Sequence, residues 1–357
     1  MVVSTSVPVY RKGHLFDVIT VGHAIVDILA RVDDALLDTL GLVKGQMALV
    51  DRDSLAAILG SVEQLAIAPG GSAANTATVL TSLGATSALL GKVARDALGD
   101  SFVSAAADRG ITFYPGPDVR AGTADEDGTG GKRQGTAACA VLVSPDGERT
   151  MATYLGIASS LDEGDVTADV IVGATLLYVE GYLLDSPTGA IACQSAVAYA
   201  LDDSTAVALS LSDAACVRRN KPVFLDLLSR AFLVFGNEQE VGELFGTREP
   251  ESLARLPVEL NATGATIVLT CGARGSFIIQ QGCRPLHVDS YPTEKVVDAT
   301  GAGDAYAGGF VYGWMRGLPL ERCGQLASLC AAEVVSHVGA SPEVDLAGLA
   351  RANGLIS

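Results

Sequence analysis

The chain has 357 residues, of which 24 are Lys or Arg and 41 are Asp or Glu, so its formal net charge at pH 7 is −17. A chain of this length can bury a sizeable core, and without a long polar linker it is expected to form one large α/β domain with a smaller accessory part. Nucleic acids and anionic membranes are bound chiefly through Lys and Arg, so the charge argues against both as partners.

The N-terminal segment, MVVSTSVPVYRKGHLFDVITVG, lacks the basic-then-apolar order of a secretory signal. No apolar run approaches the roughly 18 to 20 residues that a membrane helix needs. The seven cysteines are scattered and form no C-x-x-C pair, which favours neither a disulfide framework nor a zinc site. We therefore expect a cytoplasmic protein whose cysteines stay reduced.

In chain order, apolar runs of strand length alternate with amphipathic segments of helix length. The series begins with FDVITVG, GSAANTATVLTSLG and SALLGKV, continues through TLLYVEGYLL and AVALSLS, and ends with AFLVFGN, EQEVGELFG and TIVLTCG. Such alternation predicts a mostly parallel sheet with helices on both of its faces.

Two regions with shorter strands, residues 28–50 and 111–155, interrupt this order. In the second, SPDGE between alternating runs predicts a hairpin turn. We expect both regions to pair as a small antiparallel sheet that projects from the main domain, residues 1–27, 51–110 and 156–357. The segment RAGTADEDGTGGKRQG, residues 120–135, has almost no apolar residues, which predicts a mobile loop whose role the sequence leaves open.

The segment APGGSAANTATVLTSLG places two glycines, Gly70 and Gly71, directly before a predicted helix. Asn75 lies on the first turn of that helix, where its amide suits hydrogen bonding to the hydroxyls of a ligand. A tight strand-to-helix turn without a ligand would need the same glycines, so this segment alone leaves both interpretations open.

The segment GNEQE gives Asn237 and Glu240, an i, i+3 pair on one face of a predicted helix. On an exposed face, such a pair could order a magnesium ion through water, although any surface helix offers similar pairs. In LTCGARGS, an apolar strand ends in Thr270, followed by Gly272 and Gly275. This shape could admit a nucleotide, and it equally fits an ordinary hairpin.

The segment DATGAGDAYAGGF joins a glycine-rich turn to a run of small residues that predicts a helix. Because Gly301 and Gly303 have no side chains, successive N–H groups from Gly301 to Asp304 can point into one concavity at the helix N-terminus and bind an anion. A carboxylate there repels phosphate but can accept a proton from an attacking hydroxyl, so Asp304 is either a general base or a helix cap.

Taken in this order, the segments resemble the PfkB or ribokinase-like family of carbohydrate and nucleoside kinases. DATGAGD resembles the family motif D-T-x-G-A-G-D, with Ala299 in place of Thr, and the run that begins at Gly70 continues to Gly91, Asp96 and Gly99 as the N-terminal motif does. NEQE matches N-x-x-E, and TCGARG matches T-x-G-x-x-G. The resemblance extends from about residue 17 to residue 342.

The resemblance implies a three-layer α/β/α ribokinase-like fold with a mainly parallel central sheet and a small β-sheet lid. The acceptor would lie between lid and sheet, with ATP and Mg²⁺ along the C-terminal half. Asp304 would deprotonate a primary hydroxyl while the N–H groups of Gly301, Ala302 and Gly303 stabilise the transferring group. ATP would contact Asn237, Thr270, Gly272, Gly275 and Thr300. A monovalent cation such as K⁺, and the choice between monomer and homodimer, stay open.

Within the family, several segments are most similar to adenosine kinases. Asp27 matches the acid that holds ribose hydroxyls, Arg149 matches a lid arginine that reaches the transferred phosphate, and Tyr182 matches an aromatic that packs against the base. His23 replaces an Asn that is usual there. An apolar lid suits a purine better than a free sugar; its residues are Met47, Leu49, Met151 and Leu155.

Two positions depart from adenosine kinases, because Ala214 and Ala215 stand where a further aromatic is expected. Three hypotheses follow from the sequence. The protein is a purine nucleoside kinase, a sugar kinase of the ribokinase or fructokinase type, or a non-catalytic sugar or nucleotide sensor on the same fold. The first is favoured, and the third is the weakest because a sensor does not need the Asp304 base.

Overall fold

The computed structural model describes residues 15–115, 134–256 and 264–357. The predicted mobile loop, residues 120–135, lies outside the described residues except for its last two positions. Within the described ranges, no helix is long and apolar enough to cross a membrane.

The strands alternate with helices along most of the chain. The strands are β1 (Phe16–Val21), β2 (Ile25–Arg31), β3 (Met47–Leu49), β4 (Gln64–Gly70), β5 (Ser87–Gly91), β6 (Ile111–Pro115), β7 (Ala137–Val143), β8 (Arg149–Tyr154), β9 (Ala174–Glu180), β10 (Ala206–Ser210), β11 (Leu233–Asn237), β12 (Thr266–Thr270), β13 (Ser276–Ile279) and β14 (Leu286–Val288).

The helices range from single turns to four turns. They are α1 (Asp34–Thr39), α2 (Arg52–Gly60), α3 (Ser72–Ser82), α4 (Ala97–Asp108), α5 (Ala168–Ile171), α6 (Pro187–Asp202), α7 (Ala214–Leu228), α8 (Glu238–Phe245), α9 (Pro250–Leu253), α10 (Ala302–Met315), α11 (Leu320–Val334) and α12 (Leu346–Ala352). Short 3₁₀ helices span Gly156–Ser160, Glu163–Asp165, Gly181–Asp185 and Gly272–Arg274.

The described residues form one large sheet of nine strands in the order β14-β13-β12-β11-β10-β9-β1-β5-β6. Every pairing from β12 across to β6 is parallel, and only β13 and β14 run antiparallel to their neighbours. Strands such as β5 and β9 are buried along their whole length, as expected for parallel strands that are covered on both faces. The predicted mostly parallel sheet is confirmed.

Helices cover both faces of this sheet and complete three layers. Ile19 and Val21 of β1 pack in a core with α6, α7 and α8, whereas Val18 of the same strand packs in a second core with α10 and α11. Because successive side chains of a strand point to opposite faces, one strand can serve both cores. Helices α3, α11 and α12 extend the second layer through a further apolar cluster.

A second sheet of five strands, which we call the lid sheet, has the order β3-β8-β7-β2-β4. The predicted SPDGE turn joins β7 to β8, which pair antiparallel. The expectation of an antiparallel lid is wrong for two of its pairs, since β2 runs parallel to β7 and β3 runs parallel to β8. Strands that come from distant parts of the chain are not joined by hairpins, so nothing forces them to be antiparallel.

Two segments lie in a different sheet from the one predicted for them. Residues 64–70 form β4, an edge strand of the lid sheet that pairs with β2, and residues 111–115 form β6, which pairs with β5 in the large sheet. Pro69 interrupts the alternation of β4, and Pro is tolerated on an edge strand. β6 follows α4 as the second strand of a β-α-β unit, whose crossover returns it beside β5. The division into a main domain and a lid stays a proposal.

Candidate active site

A cleft of about 750 Å³ opens between the carboxyl ends of the large sheet and the lid sheet. Ligands of open α/β sheets bind at this edge, where β9 ends at Glu180, β11 at Asn237 and β12 at Thr270. Most residues singled out in the sequence line the cleft: His23, Asp27, Gly71, Asn75, Arg149, Tyr182, Asn237, Glu240, Thr270, Thr300, Gly301, Gly303 and Asp304. Four are not among its lining residues: Gly70, Gly272, Gly275 and Ala302.

The predicted anion hole is the N-terminus of α10. Gly301 is its N-cap residue with φ of 76°, a left-handed conformation that favours glycine, and a Cβ atom there would lie 2.6 Å from the Cβ of Ala340. Gly303 has open space around it and is exposed to the cleft. The N–H of Ala302 donates to the Ala299 carbonyl oxygen at 3.2 Å, so the predicted role of Ala302 in the anion hole is not met here. Among the described residues, the N–H groups of Gly301, Gly303 and Asp304 have no such backbone partner, and together with the helix dipole they favour a negatively charged group at the cleft floor.

Asp304 lies in the same first turn, and two side chains of α3 hold it. Ser72 Oγ donates to Asp304 Oδ1 at 2.6 Å, and Asn75 Nδ2 donates to Asp304 Oδ2 at 3.0 Å. Burial raises the pKa of Asp304 to about 6, against these two hydrogen bonds, which lower it. A carboxylate that ionises near this pH can accept a proton at neutral pH.

Ser72 was not singled out in the sequence, although it stands between the glycine pair and Asn75. The 232 residues that separate it from Asp304 leave no local signal for the contact. Asn75, for which a ligand hydroxyl was the expected partner, directs its amide nitrogen to the carboxylate instead. Both side chains thus fix the orientation of Asp304.

The first acid of the DATGAGD segment, Asp298, is buried and joins three parts of the site. It accepts backbone hydrogen bonds from Thr300 at 3.1 Å and from Gly339 at 2.9 Å. Arg149 of β8 places its Nη2 atom 2.8 Å from Asp298 Oδ2, an ion pair whose angle falls outside hydrogen-bond geometry. The lid sheet is therefore linked by charge to the loop that forms the anion hole.

Asp27 faces the cleft from β2, opposite Cys139 of β7. Burial raises its pKa to about 7; the nearby Arg149 lowers it, and the carboxylates of Asp304 and Asp298 raise it. Gly70 leaves the room that this side chain occupies, because a Cβ at Gly70 would lie 2.3 Å from Asp27 Oδ2. A ligand hydroxyl that hydrogen bonds to Asp27 would stabilise its ionised form.

His23 is buried beside Glu180, a fully buried acid that was not among the predicted site residues. Glu180 Oε2 accepts from the backbone of Ala73 at 2.9 Å, and its Oε1 lies 3.5 Å from His23 Nδ1. Burial raises the pKa of Glu180 to about 8 and lowers that of His23 to about 4, so both groups are mainly neutral at pH 7. His23 Nε2 has no hydrogen-bond partner among the described residues.

Tyr182 lies in the 3₁₀ helix Gly181–Asp185, which follows β9 directly. Its backbone N–H donates to Ser212 Oγ at 3.1 Å, and its hydroxyl lies 3.4 Å from the Ser212 carbonyl oxygen. Across the cleft, the lid side chains of Met47 and Leu49 are 42% and 60% exposed. The ring and these apolar groups line the same cleft and offer apolar surface to a flat molecule.

The Thr270 segment forms the expected hairpin. Strands β12 and β13 pair antiparallel, and the N–H of Cys271 donates to the Gly275 carbonyl at 2.8 Å. Thr270 and Thr300 line the cleft, whereas Gly272 and Gly275 belong to the turn of the hairpin and are not among the lining residues. The hairpin interpretation is therefore correct, and it does not conflict with a nucleotide beside Thr270.

The whole site lies in a region that matches one known family. The sequence profile of the pfkB family carbohydrate kinases matches residues 35–346, most of the chain. This chain belongs to the pfkB family. It is therefore a carbohydrate or nucleoside kinase, a phosphotransferase with an alcohol group as acceptor, and the predicted ribokinase-like fold is confirmed.

Among similar proteins, two solved structures cover almost the whole chain. A probable sugar kinase from Rhizobium etli CFN 42 is 34% identical, with 96% of this chain and 100% of that chain covered and a TM-score of 0.83. An adenosine kinase from Sinorhizobium meliloti is 36% identical, with 95% and 99% covered and a TM-score of 0.82. The adenosine kinase of Saccharomyces cerevisiae is 26% identical over 344 residues, 90% of this chain and 96% of that protein.

Kinases of the pfkB family use ATP and Mg²⁺, and the site of this pfkB-family kinase fits the ion. Among the described residues, no group of three or more His, Cys, Asp or Glu side chains is arranged to hold a metal by itself. Burial raises the pKa of Glu240 to about 7; the Asn237 N–H lowers it, and the nearby carboxylates of Asp213 and Asp304 raise it. A hard cation held jointly by ATP phosphates and water would relieve this repulsion.

Asn237 and Glu240 are joined as a capping box at the start of α8, which the sequence interpretation missed. Asn237 Oδ1 accepts from the N–H groups of Gln239 and Glu240, and Glu240 Oε2 accepts from the Asn237 N–H at 3.0 Å. Glu240 is only 7% exposed, so the expected exposed helix face is wrong for this residue. N-x-x-E is also the spacing of a capping box, in which the acid folds back onto the helix end.

We expect the double variant Asn237→Ala/Glu240→Ala to lose about 1 to 2 kcal/mol of unfolding free energy, because three backbone N–H groups lose their side-chain acceptors. It should also need more Mg²⁺ for half-maximal rate, as measured by Mg²⁺ titration at fixed ATP. Asp345→Ala is a matched control, since Asp345 caps α12 outside the cleft. Equal magnesium dependence in both variants would show that the pair only caps its helix.

Proposed function

We propose that this pfkB-family kinase transfers the γ-phosphoryl group of ATP to the primary hydroxyl of a purine nucleoside. The observation that carries the proposal is the apolar lid over the acceptor end of the cleft. The side chains of Met47, Leu49, Met151 and Leu155 line the cleft on the lid side, with Asp27 on the same sheet and Tyr182 opposite. A purine can cover this apolar surface, whereas a free sugar would leave it exposed to water.

The chemistry is assigned to Asp304 and the α10 N-terminus. Asp304 takes the proton of the acceptor hydroxyl, whose oxygen forms a bond to the γ-phosphorus while the bond from that phosphorus to the bridging oxygen of ADP breaks. The N–H groups of Gly301 and Gly303 stabilise the charge on the transferring group, whereas that of Ala302, which was expected to join them, donates to Ala299. When bound with ATP, Mg²⁺ supplies charge neutralisation at the phosphates, and Asn237 and Glu240 would orient its water ligands.

The remaining residues position the two substrates. Asp27 would accept hydrogen bonds from the ribose hydroxyls, and Gly71, Asn75 and His23 border the same part of the cleft. Thr270 and Thr300 border the part beside Asn237, where ATP would lie. Arg149 would approach the transferred phosphate when the lid closes, and closure would exclude water that otherwise hydrolyses ATP.

A sugar kinase is the second candidate. It is supported by the similarity to a probable sugar kinase, which is nearly as strong as the similarity to an adenosine kinase. The polar groups around Asp27 and Asn75 suit the hydroxyls of a free sugar as well as those of a ribose. The two functions therefore differ in whether a purine base covers the apolar surface of the lid.

Hydrogen exchange of the lid separates the candidates. We expect a purine nucleoside, tested as adenosine, inosine and guanosine, to slow amide exchange in β3, β8 and the residues around Tyr182, because the base buries the apolar lid surface. Ribose at equal concentration should leave these amides unchanged. ATP consumption with each compound identifies the acceptor in parallel. If ribose or fructose protects the lid and none of the nucleosides does, the sugar kinase replaces the nucleoside kinase.

A further inference from the structure

The cleft is strongly acidic and has few positive groups to balance it. Its acidic side chains are Asp27, Asp146, Glu148, Glu180, Asp185, Asp213, Glu240, Asp298 and Asp304, of which Glu180 is mainly protonated at pH 7. Among the described lining residues, the guanidinium groups are those of Arg149 and Arg219. Arg149 is engaged with Asp298 beside the anion hole, whereas Arg219 lies on α7 and has no role in the phosphoryl transfer described above. The Arg219 guanidinium therefore has a role other than phosphoryl transfer.

Arg219 is held in a fixed position at the rim. Its Nε donates to Asp185 Oδ1 at 3.0 Å and its Nη2 to Asp185 Oδ2 at 2.6 Å, while the side chain remains 55% exposed. Asn220 Nδ2 adds a third hydrogen bond to Asp185 Oδ1 at 2.7 Å. Among the described residues, Arg219 donates only to Asp185, so its Nη1 atom keeps two N–H groups for a ligand.

This ion pair lies next to the ring on which a base would stack. Tyr182 and Asp185 are three residues apart in one 3₁₀ helix, and side chains at that spacing eclipse each other. The Asp185 carboxylate is therefore on the same side as the Tyr182 ring, and Arg219 lies on that carboxylate. A purine that packs on Tyr182 would direct one edge toward the Arg219 guanidinium.

At this part of the rim, the Arg219 guanidinium presents hydrogen-bond donors to the cleft. Asp185 already accepts three hydrogen bonds. Burial raises the pKa of Asp185, but the hydrogen bonds from Arg219 and Asn220 outweigh burial, so the pKa is lowered overall. A guanidinium pairs well with the O6 and N7 atoms of guanine, which both accept. Adenine presents an amino group in place of O6, and that group would face the N–H groups of the guanidinium.

We propose that Arg219 is a specificity-determining residue that reads the edge of the base and favours a 6-oxopurine nucleoside over adenosine. The proposal rests on the purine nucleoside kinase function given above and narrows its substrate class. Ala214 and Ala215, in the first turn of the helix that carries Arg219, have only methyl side chains.

Arg219→Met tests the proposal, with Arg218→Met as matched control. Arg218 is the preceding residue of the same helix and pairs with Glu243 outside the cleft. We expect the wild-type enzyme to have a higher kcat/KM with inosine and guanosine than with adenosine. Arg219→Met should lower kcat/KM for inosine and guanosine by roughly ten- to a hundredfold, mainly through KM, and that for adenosine by less than about threefold.

Arg218→Met should leave all three values unchanged, and Arg219→Lys, which keeps a charged donor, should recover part of the loss. Thermal shift with inosine and with adenosine gives a second readout that needs no turnover. Equal losses for the three nucleosides, or a wild-type preference for adenosine that Arg219→Met leaves intact, would overturn the inference and leave the nucleoside kinase standing. If no purine nucleoside binds or is phosphorylated, the proposed function fails and the inference fails with it.

Discussion

Replacing Asp304 with Asn is expected to lower turnover by at least about two to three orders of magnitude and to leave KM for ATP nearly unchanged. The reason is that a general base acts mainly in the transition state, and the amide of Asn cannot take the hydroxyl proton. The measurement is steady-state kinetics with ATP varied at saturating acceptor. Unfolding temperature is measured in parallel, because Ser72 and Asn75 both donate to this carboxylate.

The pH dependence of the reaction gives an independent check of the same role. With its pKa raised to about 6, Asp304 is ionised above that pH, so kcat/KM should rise as pH increases through about 6 and then level off. Asp27 and Glu240 also ionise near neutral pH, so a further variant is needed to show that the acidic limb of the pH profile belongs to Asp304. Ser72→Ala removes a hydrogen bond that stabilises only the Asp304 carboxylate, and it should move the limb to higher pH.

Two results would contradict the general-base role. One is turnover in Asp304→Asn that is close to wild type. The other is an acidic limb that does not move in Ser72→Ala, since a hydrogen bond of 2.6 Å to the ionised form must lower the pKa of its acceptor. A rise in KM for ATP without a fall in turnover would indicate that Asp304 serves binding instead.

The large sheet could be predicted from the sequence because its strands carry their signal locally. Strands such as β5 and β9 are uninterrupted apolar runs between helix-length segments, a pattern that few other folds produce. Strand β4 carries no such signal, since its first four residues are exposed and Pro69 lies near its end. Its place beside β2 depends on pairing across the lid, which no short window of sequence contains.

The site could be predicted where one segment supplies the whole feature, as in the glycine turn that precedes Asp304. It could not be predicted where the partner is distant in the chain. Glu180 accepts hydrogen bonds from the backbone N–H groups of Ala73, 107 residues away, and of His23, and Asp298 accepts one from Gly339. Burial determines the protonation state of Glu180. Burial depends on the folded chain and not on the residues next to Glu180 in the sequence, so it could not be predicted.

Arg149→Met is expected to impair both stability and catalysis. Removing the guanidinium leaves Asp298 as a buried carboxylate without its ion-pair partner, which should cost about 3 to 5 kcal/mol of unfolding free energy. The loop from Asp298 to Gly301 carries the anion hole, so turnover should fall as well. Denaturant unfolding and steady-state kinetics measure the two effects separately. On their own, they do not distinguish a phosphate contact from the loss of a structural ion pair.

The double variant Arg149→Met/Asp298→Asn makes that distinction, because it removes both charges together. The amide oxygen introduced at position 298 can still accept one of the two backbone hydrogen bonds, so most of the lost stability should return. If Arg149 contacts the transferred phosphate, turnover stays low in the double variant even though the fold is restored, since no cation replaces the guanidinium beside the anion hole. Recovery of turnover together with stability would mean that Arg149 serves only to neutralise Asp298 and to hold the lid sheet against the anion-hole loop.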